Sequence, residues 1–366
     1  MRIEALFAEG IRNLKALQLV PRERFNIFVG DNGQGKTNLL ETIYVVATLR
    51  SFRTSKLAEL IAFDQPVAKI GARVTRDQIT RVYELELAHG SRRIKLDGKA
   101  PRPVAQYFGG FNVVVFTPED LALPRGSPGD RRRFLDRGAF NLDASFLATA
   151  SDYDRVLKTR NSVLRQAGQG RLAGHQLEEL LAVYDQQLAE LAVPVIAART
   201  RFLDALAPEL ANAFAAITRT GRTATARYVS LLGAASAGEI ATRLAATRAK
   251  DLATQATQTG PHRDDVLLEL DGREAGSFAS QGQLRAIMLA WKAAELQLLA
   301  RAHDDSPILL LDDVSSELDP ARNEYLFAHL ATLAGQCFIT TTHPDQVLLR
   351  SHRADYHIET GQIRES

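Results

Sequence analysis

Cysteine is almost absent from this chain. A single thiol, Cys337, among 366 residues excludes an internal disulfide and any cysteine-based metal cluster. Such usage fits a reducing cytoplasm. Set beside Phe338 and Ile339, the thiol reads as a small buried hydrophobe. No run of about 18 apolar residues occurs, so no membrane span is expected. The opening residues, MRIEALFAEG, carry Glu4 and Glu9 and lack an apolar core, so no secretory signal is expected. Net charge is also slight, +2, and a surface for an anionic polymer must therefore be local. No internal repeat or low-complexity tract stands out. What remains is ordinary for a globular protein: 45% hydrophobic and 24% charged residues. A chain of 366 residues exceeds one compact core, so two domains, or one domain with a large insert, are expected.

The texture changes along the chain. FNIFV (25–29) reads as a buried strand, followed by a glycine-rich loop and TNLLETIYVVATLR at helical spacing. TRVYELELA (80–88) alternates, with Tyr83, Leu85 and Leu87 on one face and Glu84 and Glu86 on the other. Asp97-Gly98 is a hairpin turn, and FNVVVF (111–116) is a further buried strand. From about 125 to 255 the chain is rich in Ala, Leu, Arg and Gln and poor in strand patterns. Phe146, Ala150, Tyr153 and Leu157 recur at helical steps, as do Leu177 to Leu191. AGQGRLAG (167–174) breaks them into two antiparallel helices. Strand texture returns in DVLLEL (265–270), PILLLDDV (307–314) and CFITTTH (337–343). The last two end in polar residues, where an α/β sheet places its chemistry. The expected organisation is an α/β head in two parts, 1–124 and 256–366, interrupted by a mainly helical insert at 125–255.

GDNGQGKT matches G-x-x-x-x-G-K-[ST] in full across Gly30, Asp31, Asn32, Gly33, Gln34, Gly35, Lys36 and Thr37. The glycines let backbone N–H groups curl round phosphates, and the next helix points its positive end at them. Lys36 neutralises the β- and γ-phosphates, and the Thr37 hydroxyl ligates Mg²⁺. ILLLDD supplies the second half. Asp312 would hold the metal ion, and Asp313 stands where a base polarises the attacking water. Some three-quarters of the chain separates Thr37 from Asp312, so an insert interrupts the nucleotide core. In SQGQ, Gly282 keeps the loop thin and Ser280 adds a hydroxyl. With the helix that follows Gln283, this forms a second phosphate cradle.

The order P-loop, SQGQ (280–283), LLLDD, SSELD, TTTH resembles the ABC-type ATPase heads, including the SMC group. The finer set GDNGQGKTNLLETIY, RSFRT, VFTPEDL, GSPGDRRRFLD, TGPHRDD, SQGQLRA and LLLDDVSSELD resembles the RecF family of bacterial recombination mediators. The resemblance implies an α/β fold, an ABC/SMC-type ATPase head with a mixed sheet and P-loop helix, interrupted by a helical arm. It implies a slow Mg²⁺-dependent ATPase that dimerises on ATP, binds DNA at gap junctions and works with RecR and RecO to load RecA. By the same resemblance Ser280, Gly282 and Gln283 cap ATP on a partner subunit, and His343 matches the switch histidine. Arg12 lies where SMC-type heads place a nucleotide-contacting basic residue, Glu119 stands near the Q-loop position, and Glu317 could share the role of Asp313. ABC transporters carry Glu where this chain has Asp313, one methylene shorter.

PRGSPGDRRRFLDR (124–137) sets Arg125, Arg131, Arg132, Arg133 and Arg137 against Asp130 and Asp136. Arg155, Lys158, Arg160 and Arg165 extend the basic run. Arginine forks suit phosphate oxygens, and the lack of interleaved aromatics favours duplex backbone over single-strand stacking. Two rival functions are a transporter ATPase subunit, against which the arginine-bearing insert argues, and an SMC-like structural clamp. A repair protein of this type would work in the cytoplasm, associated with the nucleoid.

Overall fold

The structure, a computed structural model, describes residues 1–333 and 335–365, with the side chains of Glu317, Ala331 and Leu333 outside the described set. The chain divides into two compact units. One comprises Met1–Ala122, Ala213–Thr220 and Arg285–Ser366; the other comprises Leu123–Asn212 and Gly221–Leu284.

The first unit has two sheets. An antiparallel sheet runs in the order β2 (Leu17–Leu19), β1 (Arg2–Glu9), β4 (Val67–Arg76), β5 (Ile79–Ala88), β6 (Ser91–Leu96). On β5 the alternation holds: Tyr83, Leu85 and Leu87 are buried. Asp97 and Gly98, with φ of 52° and 77°, make the turn that follows β6. The other sheet is mixed, in the order β14 (Gln362–Glu365), β13 (Arg353–Glu359), β3 (Phe25–Val29), β12 (Cys337–Thr341), β11 (Ile308–Asp312), β7 (Val113–Phe116). Only β14 runs antiparallel to its neighbour. Every residue of β7, β11 and β12 is buried, as expected of parallel strands covered on both faces. Helix α1 (Lys36–Thr48) packs against β4 and β5 and also against β7, β11 and β12. It is therefore apolar on nearly all sides, and its Leu39, Leu40, Ile43, Val45 and Val46 join one core with Phe28, Leu310 and Phe338. Cys337 is fully buried, and burial pushes its thiol up to about 12, the inert hydrophobe expected.

The parallel strands share a direction, so their C-terminal ends lie together. Helix α2 (Pro118–Ala122) follows β7, and α9 (Pro320–Leu333) lies between β11 and β12.

The second unit is built from α3 (Pro128–Leu142), α4 (Phe146–Gly168), α5 (Gly174–Thr218) as far as Asn212, α6 (Ala237–Thr254) and α7 (Ala275–Phe278). It also holds an antiparallel sheet of β8 (Ala224–Val229), β9 (Asp265–Leu270) and β10 (Arg273–Glu274). Helix α8 (Gln281–His303) follows. The expected break at 167–174 falls between α4 and α5, and Val163, Leu164, Leu177 and Leu181 pack across it. Two features depart from the sequence reading. This unit continues past residue 255 to Leu284, because β8 pairs with β9 along its whole length. Helix α5 also runs on for 45 residues, through Pro194 and Pro208. By length and composition alone α5 passes as a membrane span. Its apolar positions Leu188, Ala189, Ala192, Phe202 and Leu206 are buried within the protein, and Asp185 and Arg199 on the same helix are buried in ion pairs.

Candidate functional site

From Val29 the chain turns through Gly30–Gly35 into α1. At Gly30 a Cβ would come within 2.4 Å of the Ile358 carbonyl oxygen, so only glycine lets β3 pass β13 there. Gly35 caps α1 at φ 113°, a conformation side chains rarely adopt. No side chain caps the helix and no acid sits in its first turn, so its N-terminal N–H groups stay available to an anion. The Lys36 ammonium folds back onto the loop, donating to the carbonyls of Gly30 and Asp31. Burial lowers its pKa, while Asp313, Asp312 and Asp31 pull it back up. Asp31, Asn32 and Gly33 are exposed.

The loop is buttressed by residues that carried no signal in the sequence. The Asn13 side-chain amide donates to the Gly33 carbonyl at 2.8 Å, and Asn38 donates to the Asn13 Oδ1 at 2.6 Å. The turn between β13 and β14 holds Gln34 on the other side: Thr360 N–H donates to its Oε1 at 2.6 Å and Gly361 N–H to its carbonyl at 3.0 Å.

Strands β11 and β3 bring together two groups 275 residues apart: the Thr37 hydroxyl donates to Asp312 Oδ1 at 2.9 Å. Thr340, on β12 between them, donates to the same oxygen at 2.7 Å. Burial raises the Asp312 pKa, and these two hydroxyls offset it. Asp313 follows in a left-handed conformation, φ 47°, held by its N–H on the Thr340 carbonyl. Its Oδ1 is buried with no hydrogen-bond partner. Burial raises its pKa too; Lys36, the Thr342 backbone and His343 pull it down. His343, at the end of β12, is exposed. Glu119, in the first turn of α2 after β7, contributes its field to Asp312. Ser316 donates to the Asp313 carbonyl at 2.7 Å. The Glu317 side chain lies outside the described residues.

Other expected site residues have different surroundings. Arg12 makes a two-pronged ion pair with Glu41 of α1, at 2.7 and 3.1 Å, and Arg53 and Ser51 converge on the same carboxylate. Arg12 thus serves first to neutralise a carboxylate buried one turn past the P-loop. Ser280 and Gln283 form a reciprocal capping box, Ser280 N–H to Gln283 Oε1 at 2.8 Å and Gln283 N–H to Ser280 Oγ at 3.3 Å. Helix α8 therefore starts at Gln281, with Gly282 in its first turn, rather than after Gln283. Ser280 stays exposed, and in the capping box its hydroxyl acts as an acceptor, which leaves its proton to donate.

The basic run divides. Arg131 is 9% exposed and forks onto Asp265 at 2.8 and 2.6 Å, so it is a structural tie between α3 and β9. Arg132 reaches the Asp264 carbonyl at 2.8 Å and is half-buried; Arg133 is exposed beside Asp130. Arg160, expected on a solvated face, is fully buried between Asp185 and Asp251. Arg125 binds the carbonyls of Gly276 and Ala279. A cavity of about 1020 Å³ lies at the opposite end of the mixed sheet, lined by Arg2, Arg22 and Arg353. Each of those three arginines is already paired with a carboxylate.

Residues 2–362 match the family model described as the RecF/RecN/SMC N terminal domain. The chain is 41% identical over 365 residues to the DNA replication and repair protein RecF of Myxococcus xanthus, covering 97% of this chain and 94% of that one. It is 39% identical to the RecF protein of Citrifermentans bemidjiense, over 99% and 100% of the two chains. Among solved structures it is similar to the recombination mediator protein RecF with ATP in the RecFOR pathway, at 30% identity and a TM-score of 0.88, covering 100% of this chain and 97% of that one. The Smc head domain of Pyrococcus furiosus, at 15% identity and a TM-score of 0.53, shares the fold. With a complete P-loop facing the strand-end carboxylates and full-length likeness on both counts, the chain belongs to the RecF family, DNA replication and repair proteins built on an ATP-binding ABC/SMC-type head.

Proposed function

We propose that this protein is an ATP-dependent, DNA-binding recombination mediator, and that the Thr37–Asp312 hydrogen bond is the observation that carries its ATPase half. Two hard oxygen donors from opposite ends of the chain meet beside a loop built for phosphates. They fit Mg²⁺, which binds through one or two carboxylates and keeps phosphate oxygens and water as its other ligands. Among the described residues no group of three metal-binding side chains competes with that assignment. The ion would supply charge neutralisation for the leaving phosphate. Lys36 leaves its carbonyls for the phosphates. Asp313, with an unpartnered buried oxygen, orients the attacking water and takes its proton; its short side chain suits slow turnover. Glu317 and His343 act beside it as supporting groups, a role that rests on the likeness of SSELD and TTTH to the loops of ABC-type heads.

ATP then joins two copies. Ser280, Gly282 and Gln283 of one copy face the γ-phosphate held by Lys36 of the other, twice over, as isologous symmetry requires. Duplex backbone binds on the arginines of α3 that have no buried carboxylate partner, Arg132 and Arg133. Hydrolysis resets the dimer, which supports RecA loading at gapped DNA with RecO and RecR in the cytoplasm. ATPase turnover and ATP-driven association, each measured with single-stranded, duplex and gapped DNA, test this reading. Turnover indifferent to all three DNAs, with no ATP-dependent association, would overturn it.

A further inference from the structure

The segment just before Ser280 is clamped from one side. Arg125 donates through Nε to the Gly276 carbonyl at 3.2 Å and through Nη2 to the Ala279 carbonyl at 3.1 Å. Gly276 packs so closely that a Cβ there would lie 2.2 Å from the Pro124 carbonyl oxygen, a backbone atom that cannot step aside. Ala275 and Ala279, at the two ends of the clamped stretch, are buried. Ser280 itself is exposed, and its side chain and N–H are engaged in the capping box with Gln283. A loop that must present a hydroxyl to a phosphate has to be held to a fraction of an ångström, because misplacement forfeits the interaction. Here the holding comes from one guanidinium on a short helical turn, 151 residues away in sequence from Gly276. Its rigid planar fork sets the geometry between the two carbonyls, whereas a lysine ammonium is a point charge on a flexible stem.

We infer that Arg125 is a positioning residue for the signature loop: by bridging the Gly276 and Ala279 carbonyls it fixes Ser280 where the nucleotide of a second copy must meet it. This role rests on the two-fold ATP sandwich proposed above. It also takes Arg125 out of the DNA-contacting run, since its fork is already engaged.

Sedimentation of the full chain with ATP and Mg²⁺ tests it, alongside monomer ATP binding, melting temperature and nucleotide-free duplex binding. Arg125→Ala and Arg125→Lys should both require at least ~10-fold more protein to dimerise. Gly276→Ala, which pushes the same stretch away from Pro124 and Arg125, should do likewise. All three should bind ATP as monomers and bind duplex like wild type; Arg125→Ala and Arg125→Lys should also melt like wild type, whereas Gly276→Ala, forced against a backbone oxygen, should melt lower. Ser280→Arg is the control for the sandwich and should stay monomeric. Wild-type dimerisation of Arg125→Ala, with Ser280→Arg monomeric, overturns the positioning role and leaves the sandwich standing. Dimerisation of Ser280→Arg overturns the sandwich and the role together. Rescue by Arg125→Lys, or weakened duplex binding with dimerisation intact, would make Arg125 a charge contact instead. If Arg125→Ala fails to fold, Arg125→Lys decides by the same outcomes.

Discussion

Two adjacent aspartates at the end of β11 have different surroundings. Asp312 is bonded by Thr37 and Thr340, while the Asp313 Oδ1 is buried and has no partner. A desolvated carboxylate with one oxygen left unbonded is a better base than one whose oxygen is already shared by two hydroxyls. Asp313→Asn should therefore keep ATP binding and lose turnover by at least ~100-fold, in line with removal of a general base. Burial holds the Asp313 pKa above the ordinary carboxylate range. The base is active only when ionised, so the acid limb of the ATPase profile should lie above that range. Wild-type turnover in Asp313→Asn would remove the residue from this role. Lys36→Ala is the companion test. It deletes the counter-charge of the loop, and ATP binding itself should fall below detection in a direct titration.

At the scale of elements, the P-loop depends on neighbours as much as on its own glycines. Asn13 and the β13–β14 turn grip it from two sides. In the second unit α4, α6 and the TGPHRDD loop (259–265) meet around buried polar groups. Arg160 joins Asp185 and Asp251, and His262 Nδ1 sits 2.6 Å from the Tyr153 hydroxyl. Burial drives the His262 pKa down to about 4, against an ordinary 6.5, and Arg263, Arg132 and Arg160 add to the effect. A depressed folded pKa means that the unfolded chain takes up the proton first. The stability His262 contributes is therefore complete above about pH 6.5 and is lost as pH falls toward 4, to a total of roughly 3 kcal/mol. Chemical denaturation between those two pH values should show that slope in wild type and a flatter one in His262→Gln. Parallel slopes would mean that the imidazole is protonated in the fold.

For the whole molecule, net charge of +2 cannot hold a polyanion, so binding must come from a patch. In the reading proposed above, that patch is the accessible side of α3, with Arg132 and Arg133. Arg132→Glu with Arg133→Glu should weaken duplex binding across all sequences and lower the salt slope by about 1 for each phosphate no longer neutralised. ATPase activity without DNA should persist. Arg131→Glu should differ in kind: it breaks a buried pair with Asp265 and should lower the melting temperature first. If the double variant binds duplex like wild type at several salt concentrations, the α3 face is only a solvated surface.

The local chemistry was legible in the order of residues. Eight consecutive residues wrote the P-loop, five residues before it wrote β3, and alternation wrote β5, because each of these signals is complete within a short stretch. The ILLLDD run likewise placed Asp312 at a strand end. Which charges are paired was settled only by packing. Arg131 meets its carboxylate 134 residues away and Arg160 meets one of its two 91 residues away, so both looked like solvent-facing cations in the run of letters. The same holds for Asn13, Arg125 and the β13–β14 turn, whose roles exist only where distant segments touch. β8 was missed because only Ala224 of its six residues is buried, which leaves no alternation to read, and its partner β9 lies beyond a whole helix. Secondary structure and loop motifs follow from short-range sterics and hydrogen bonding, whereas burial and pairing are properties of the packed chain.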